Sequence, residues 1–172
     1  MTTIRPAVLD DLKEITNIYN HYVENTAITF DTSPWLTEDR MDWFKQFQAE
    51  TIHQCLVLST QSTDEGDEIR GYACSSTFRQ KPAYDTSVET TIYLHPDATG
   101  QGLGRLLYEQ LLGNLNQLNI HRVYGIITLP NSGSIRLHES LGFDRIGTLT
   151  EVGYKFDQYW DTLWLERKNG IT

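Results

Sequence analysis

Seven residues past the middle of the chain, Thr99-Gly100-Gln101-Gly102-Leu103-Gly104-Arg105, are of the kind that cradles phosphate. Glycine admits positive φ and lets a ligand approach with no Cβ in the way. The run follows a strand-like segment and opens a leucine-periodic one. The free N–H groups of a helix's first turn, with the positive end of its dipole behind them, then face the ligand. A pyrophosphate suits such a cradle, so the chain is expected to bind a nucleotide-like cofactor. Two common owners of glycine turns fail on detail. A P-loop ends in Gly-Lys-Ser/Thr, and Gly104-Arg105-Leu106 does not. The dinucleotide fingerprint needs a third glycine where Arg105 stands and belongs near the first strand. A plain strand–turn–helix corner remains the alternative on the turn alone.

The elements around the turn follow from periodicity. Val88–Leu94 alternates as a strand, with Val88, Thr90, Ile92 and Leu94 on one face and Glu89, Thr91 and Tyr93 on the other. Leu103, Leu106, Leu107, Leu111, Leu115 and Leu118 mark a long amphipathic helix. Ahead of these, Ile4–Pro6 reads as a strand, and Asp10-Asp11 opens a helix carrying Leu12, Ile15, Ile18, Tyr19 and Tyr22. Asn25–Pro34 is a loop. A second helix is expected over Thr37–Glu50, with Thr37 as N-cap and Met41, Phe44 and Phe47 on its apolar face. Gln54–Leu58 and Ile69–Ser75 are short strands joined by a polar hairpin loop, Ser59–Glu68, and Thr77–Asp85 is a further loop. After Val123–Thr128, another strand, Pro130-Asn131 leads to a helix over Ser134–Leu141, capped by Gly142. Arg145–Thr150 and Thr162–Glu166 complete the strands. The alternation gives an α/β or α+β fold around one mixed sheet.

Composition narrows the function classes. The 172 residues are expected to form one domain, 1–172, large enough to bury a core without metal or disulfide staples. A net charge of −9 argues against nucleic acid and anionic membrane surfaces as partners. No run reaches the length of a membrane span, and the N-terminal residues do not form a signal peptide, so a cytoplasmic location is expected. Cys55 and Cys74 sit in apolar runs and read as reduced core thiols, with a bridge between neighbouring strands as the alternative. No metal-ligand spacing is present in the sequence. His21, His53, His95 and His121 read as surface or packing residues, and Trp35, Trp43, Trp160 and Trp164 as core or interface aromatics.

The run ETTIYLHPDATGQGLGRLLYEQLL resembles the cofactor motif of GNAT-type N-acetyltransferases, Gln/Arg-x-x-Gly-x-Gly/Ala, with Gly102 and Gly104 at its glycine positions. Thr99 departs from the usual Gln or Arg, a contact that would then be weakened, or supplied by Gln101 or Arg105 instead. Asn131-x-x-Ser134-x-x-Leu137-His138-Glu139-x-x-Gly142-Phe143 is similar to the family's second cofactor segment. TIRPA, Asn20–Tyr22, the Phe30 loop, Ala83–Tyr93, the LPN-x-x-S-x-RLHE block and Gly153–Lys155 together resemble the phosphinothricin and methionine sulfoximine acetyltransferase branch.

That resemblance implies a GNAT fold, a mostly antiparallel twisted sheet flanked by helices. It implies acetyl-CoA as cosubstrate, no metal, a small amino-acid-like substrate and a homodimer. Gly100, Gln101, Gly102, Leu103, Gly104 and Arg105 would hold the pyrophosphate, and Asn131 and Ser134 the pantetheine chain. The backbone of Ile92, Tyr93 and Leu94 would pair with pantetheine as an added strand edge. Glu89 stands where the family has its catalytic Glu. A carboxylate partly buried in a Thr/apolar strand has its pKa raised toward that of a working base. His138 stands where the wider family has an acid for the departing thiolate; it reads equally as an acid, a water holder or a structural histidine. Arg79, Lys81, Pro82, Ala83, Tyr84 and Phe30 are the expected substrate residues, because an amino-acid carboxylate or phosphinate needs a cationic donor. Two rivals stand beside this reading. One is another amine, a polyamine or a protein N-terminus, which Arg79 and Lys81 would repel. The other is a non-catalytic acyl-CoA sensor, which would need neither Glu89 nor the cationic loop.

Overall fold

The computed structural model describes residues 1–48, 51–62 and 66–169. Its frame is a seven-stranded sheet in the order β1-β2-β3-β4-β5-β7-β6. The strands are β1 (Thr2–Pro6), β2 (Cys55–Ser62), β3 (Gly66–Thr77), β4 (Ser87–Leu94), β5 (Arg122–Thr128), β6 (Asp144–Lys155) and β7 (Gln158–Lys168). Every neighbouring pair is antiparallel except β4–β5, which is parallel. The connection between those two carries α3 (Leu103–Leu115), as a parallel pair requires.

Strand alternation sends residues to two faces. Leu56 and Leu58 of β2, Ala73 of β3 and Val88 of β4 pack under Leu107, Leu111 and Leu115 of α3. Cys55, Val57, Tyr72 and Cys74 pack under Ile15 and Ile18 of α1 (Leu12–Asn25). Each such fully buried Leu or Ile contributes roughly 1.5–3 kcal/mol over an exposed one. The two cysteines are free, buried and directly opposite one another across β2 and β3. Helix α4 (Ser132–Ser140) closes the α3 face, and Gly142 follows it with φ +83°, where the glycine cap was expected.

Four expectations need correction. The second helix is only a 3-10 turn, Glu38–Arg40, and one α-turn, α2 (Met41–Phe44). Thr37 makes no side-chain cap, Met41 is exposed, and the expected end at Glu50 lies outside the described residues. Trp43 packs on Phe44, Phe47 and Tyr72 of β3, and just beyond them the Gln48 N–H donates to the His53 carbonyl at 3.1 Å instead of continuing the helix. The segment Ser59–Glu68 is mostly strand: β2 runs on to Ser62 because β1 pairs along it as far as Thr2 opposite Thr60, and 63–65 lie outside the described residues. α3 ends at Leu115, leaving Leu118 in the turn beyond, while α4 begins at Ser132 because Asn131 caps it. The last two strands form a hairpin far longer than expected, 144–168, bent by a bulge at Glu151 with φ 52°. Past the bulge, Gly153 and Lys155 turn inward and are buried.

Candidate active site

The site begins where two strands part. β4 keeps its antiparallel partner β3 as far as Leu94 opposite Gly71, but its parallel partner β5 only as far as Glu89 opposite Tyr124. One step later the Thr90 hydroxyl donates to the Tyr124 carbonyl at 3.1 Å, standing in for a lost rung. The His95 N–H donates to the Arg70 carbonyl at 2.8 Å, which sets the alternation. Tyr93 therefore turns its backbone to β3, and Ile92 and Leu94 turn theirs to the opening. Of the three residues expected to offer a strand edge, Ile92 and Leu94 do so, and Tyr93 presents its side chain instead. The Leu94 carbonyl already accepts from the Tyr22 hydroxyl at 2.6 Å.

A cleft of about 520 Å³ runs from this edge to the glycine turn, walled by Tyr22, Ile28, Asn131 and Ser134. It continues into a narrow recess of about 50 Å³ between β4 and β5, reached by Thr90, Ile126 and His138. At the turn, Gly100 and Gly102 have φ of +73° and +79°, and a Cβ on either would meet nothing within 4 Å. Gly102 is the N-cap of α3 and offers no side-chain acceptor, and it lines the cleft together with Gly104, at a helix start whose first N–H groups lack intrahelical partners. Gly104 has another purpose: a Cβ there would lie 3.2 Å from Leu94 Cδ1, so α3 sits close on β4. The side chains of the turn are held elsewhere. Thr99 donates to the Pro96 carbonyl, Gln101 to the Asp97 carbonyl, and Arg105 to Ser140, with Glu109 at 2.8 Å from its guanidinium. Even so held, Thr99 and Arg105 line the cleft, as does Arg136 of α4, so cationic residues stand beside the backbone of the turn.

Asn131 caps α4, its Oδ1 accepting from the Ser134 N–H at 3.1 Å, while its amide group lines both parts of the cleft. His138 is buried with both nitrogens engaged. Nδ1 lies 2.8 Å from the Ser134 carbonyl, which can only accept, so Nδ1 carries the proton. Nε2 then accepts from the Tyr108 hydroxyl at 3.1 Å, and the Tyr108 oxygen in turn accepts, at 2.6 Å, from the Thr90 hydroxyl, whose proton it shares with the Tyr124 carbonyl. Burial pushes the imidazole pKa down, opposed by the Ser134 carbonyl. A neutral ring so held has no spare proton at Nε2. This favours the structural reading of His138 over the acid.

Glu89 points to the other face of the sheet. Its carboxyl pKa is raised by burial, opposed by the nearby Arg79 guanidinium. Around it the structure gathers residues that single-strand patterns do not connect. Tyr124 stands opposite Glu89 and stacks on Phe78 at 4.1 Å. Arg79 lies 4.4 Å from the Phe78 ring and 5.4 Å from the Trp164 ring, a cationic group between two aromatic faces. Tyr84 meets Phe78 edge-on at 5.8 Å. Arg79 is thereby the cation whose charge acts on Glu89, while Tyr84 reaches only Phe78, and Lys81, Pro82 and Ala83 are exposed. Phe30 rests on Gly153 of β6, so tightly that a Cβ there would overlap its ring. Phe78 and Tyr124, which the sequence did not single out, and Trp164, read from sequence as a core or interface aromatic, meet around Arg79 only through the register of β4, β5 and β7.

A forked strand edge beside an uncapped, glycine-rich helix start accommodates a long thread ending in phosphate, and a half-buried carboxylate at the fork suits proton removal. Comparison with known proteins gives this class its owner. Residues 4–164 match the acetyltransferase (GNAT) domain. The chain is 48% identical over 164 residues to a phosphinothricin N-acetyltransferase of Streptomyces coelicolor, covering 95% of this chain and 94% of that one. It is 32% identical to an L-methionine sulfoximine/L-methionine sulfone acetyltransferase of Salmonella typhimurium, covering 95% and 92%. A phosphinothricin acetyltransferase from Sinorhizobium meliloti, solved in complex with acetyl-CoA, superposes with a TM-score of 0.90 at 32% identity, covering 98% and 89%. The chain belongs to the GNAT acetyltransferases, enzymes that take acetyl-CoA as donor.

Proposed function

We propose that this enzyme acetylates the α-amino group of a small amino acid or analogue of the phosphinothricin, methionine sulfoximine or methionine sulfone type, with Glu89 as general base. The observation that carries the reading is the half-buried Glu89 carboxyl at the fork, with the Arg79 guanidinium beside it. When bound, acetyl-CoA supplies an activated acetyl thioester. The N–H groups of Leu103 and Gly104 would hold its pyrophosphate, and Ile92 and Leu94 would pair with its pantetheine chain. The Ile92 N–H, facing the opening, would be the donor to the thioester carbonyl. Glu89 accepts the proton that the substrate ammonium loses before its nitrogen can attack. Arg79 binds the substrate carboxylate; Phe30, Tyr84 and Trp164 wall its side chain. His138 and Tyr108 hold β4 and α4 in place behind the fork. No covalent intermediate on the enzyme is needed.

Arg79 also speaks against a polyamine substrate, since its charge repels a second ammonium. The test is a thiol-release screen with acetyl-CoA over amino acids, their sulfone, sulfoximine and phosphinate analogues, and polyamines. Release with polyamines alone would overturn the reading. The enzyme is further read as a cytoplasmic homodimer. What supports the dimer is the exposed apolar stretch of the β6–β7 hairpin, where Val152, Tyr154, Phe156 and Tyr159 are each more than half exposed. No helix among the described residues is long and apolar enough to cross a membrane. Sedimentation at micromolar concentration checks the dimer; a monomer of 19.8 kDa would contradict it.

A further inference from the structure

Lys155 is 96% buried, which is unusual for an ammonium, and the site as described does not use it (relative exposure 4%). Its Nζ donates to the Thr29 carbonyl at 2.9 Å, joining residues 126 positions apart. Burial pushes its pKa down, and the Asp31 carboxylate pulls it back. Such a charge is costly to bury and has to be held by its partners.

The Phe156 ring lies 5.1 Å from Nζ, and the polar partners, Thr29 and Asp31, belong to one short segment, 28–31. Ile28 walls the cofactor cleft and the recess between β4 and β5. Phe30 rests on Gly153, on the same face of β6 as Lys155. Between them Thr29 is fixed twice, by Lys155 at its carbonyl and by the Tyr19 hydroxyl at its Oγ1, 2.6 Å away. Asp31 accepts from both Tyr19 and Trp35. The segment is a strap from α1 across to β6. One of its side chains meets the donor cleft and the next but one meets the amino-acid side. The bulge at Glu151 is what turns Gly153 and Lys155 inward to receive it.

We propose that Lys155 is a positioning residue for the amine substrate: through Thr29 it sets where Ile28 and Phe30 stand, and so the space open to the substrate side chain beside Glu89. The proposal rests on the amino-acid reading above. It predicts that the cradle and strand edge for acetyl-CoA, to which the strap adds only the Ile28 wall, keep most of their affinity when Lys155 is lost.

Lys155→Met keeps the length and removes the charge; Lys155→Arg keeps the charge. In Lys155→Met, hydrogen–deuterium exchange of residues 26–36 should rise. The KM for the amino acid should rise about tenfold or more, with that for acetyl-CoA changed less than about threefold. Lys155→Arg should restore most of both. Phe30→Ala combined with Lys155→Met should lose less than the sum of the two single losses, because both act through the strap. Unchanged exchange in a folded Lys155→Met protein would overturn the proposal. So would strict additivity with Phe30→Ala, or equal rises in both KM values that Lys155→Arg fails to reverse. If the wild-type enzyme acetylates no amino acid, the amino-acid reading fails by itself, and the exchange measurement decides alone whether Lys155 holds the strap.

Discussion

Glu89 and Tyr124 face each other across the last rung that β4 and β5 share. Before it the strands are a continuous parallel pair; after it they diverge, and the space between them is the cleft. The proposed base therefore stands at the apex of the fork. The strand that carries it goes on, within three residues, to offer Ile92 as an open edge. In the proposed mechanism, proton removal and donor binding are thus coupled by the geometry of one strand.

The first prediction concerns the acid limb of the pH–rate profile. Burial raises the Glu89 pKa and Arg79 opposes the rise. Removing the cation in Arg79→Gln lets the carboxyl pKa climb, so Glu89 is protonated over a wider range of pH. The acid limb of kcat/KM should move to higher pH, alongside a higher KM for the amino acid. A limb that stays in place, or moves to lower pH, would separate Arg79 from the base.

His138 should leave a mark on stability. Its folded pKa lies below the ordinary value of 6.5. Below that value the unfolded chain binds a proton that the folded chain refuses. The stability it confers is complete above about 6.5 and is lost as pH falls toward the folded pKa. Denaturant titrations at successive pH values should show this slope, and it should flatten in His138→Gln. An equal slope in both proteins would mean that the ring is protonated in the folded state as readily as outside it.

Gly102 tests the cradle. With φ at +79° and open space where a Cβ would go, Gly102→Ala brings strain without a clash. The cost should be about 1–2 kcal/mol of stability, visible as a lower Tm. Relief of that strain moves the Leu103 and Gly104 N–H groups, so the KM for acetyl-CoA should rise while the KM for the amine stays. The reverse pattern in steady-state kinetics would place the donor elsewhere.

Much of this was legible in the chain, for local reasons. The glycine turn, α3 and the two faces of β4 follow from backbone rules and periodicity within about 20 residues. Glu89 stood out as a carboxylate in a Thr/apolar strand. What could not be read depends on register. The stack of Phe78 on Tyr124, the place of Arg79 between Phe78 and Trp164, and the bond from Lys155 to Thr29 each join distant segments. Spacing in one strand cannot fix its offset from the next. The second helix was misjudged because Phe44 and Phe47 fit a helical face, while the bond from the Gln48 N–H to the His53 carbonyl leaves no trace in periodicity.

The most direct test of the account is thiol release from acetyl-CoA by wild-type and Glu89→Gln enzyme, with methionine sulfoximine and phosphinothricin as acceptors. Wild type should release thiol well above the buffer rate. Glu89→Gln should bind acetyl-CoA as wild type does by calorimetry, yet lose about 10²–10⁴-fold in kcat. Release at the wild-type rate by Glu89→Gln, with an unchanged pH profile, would contradict the assignment of the base at the fork.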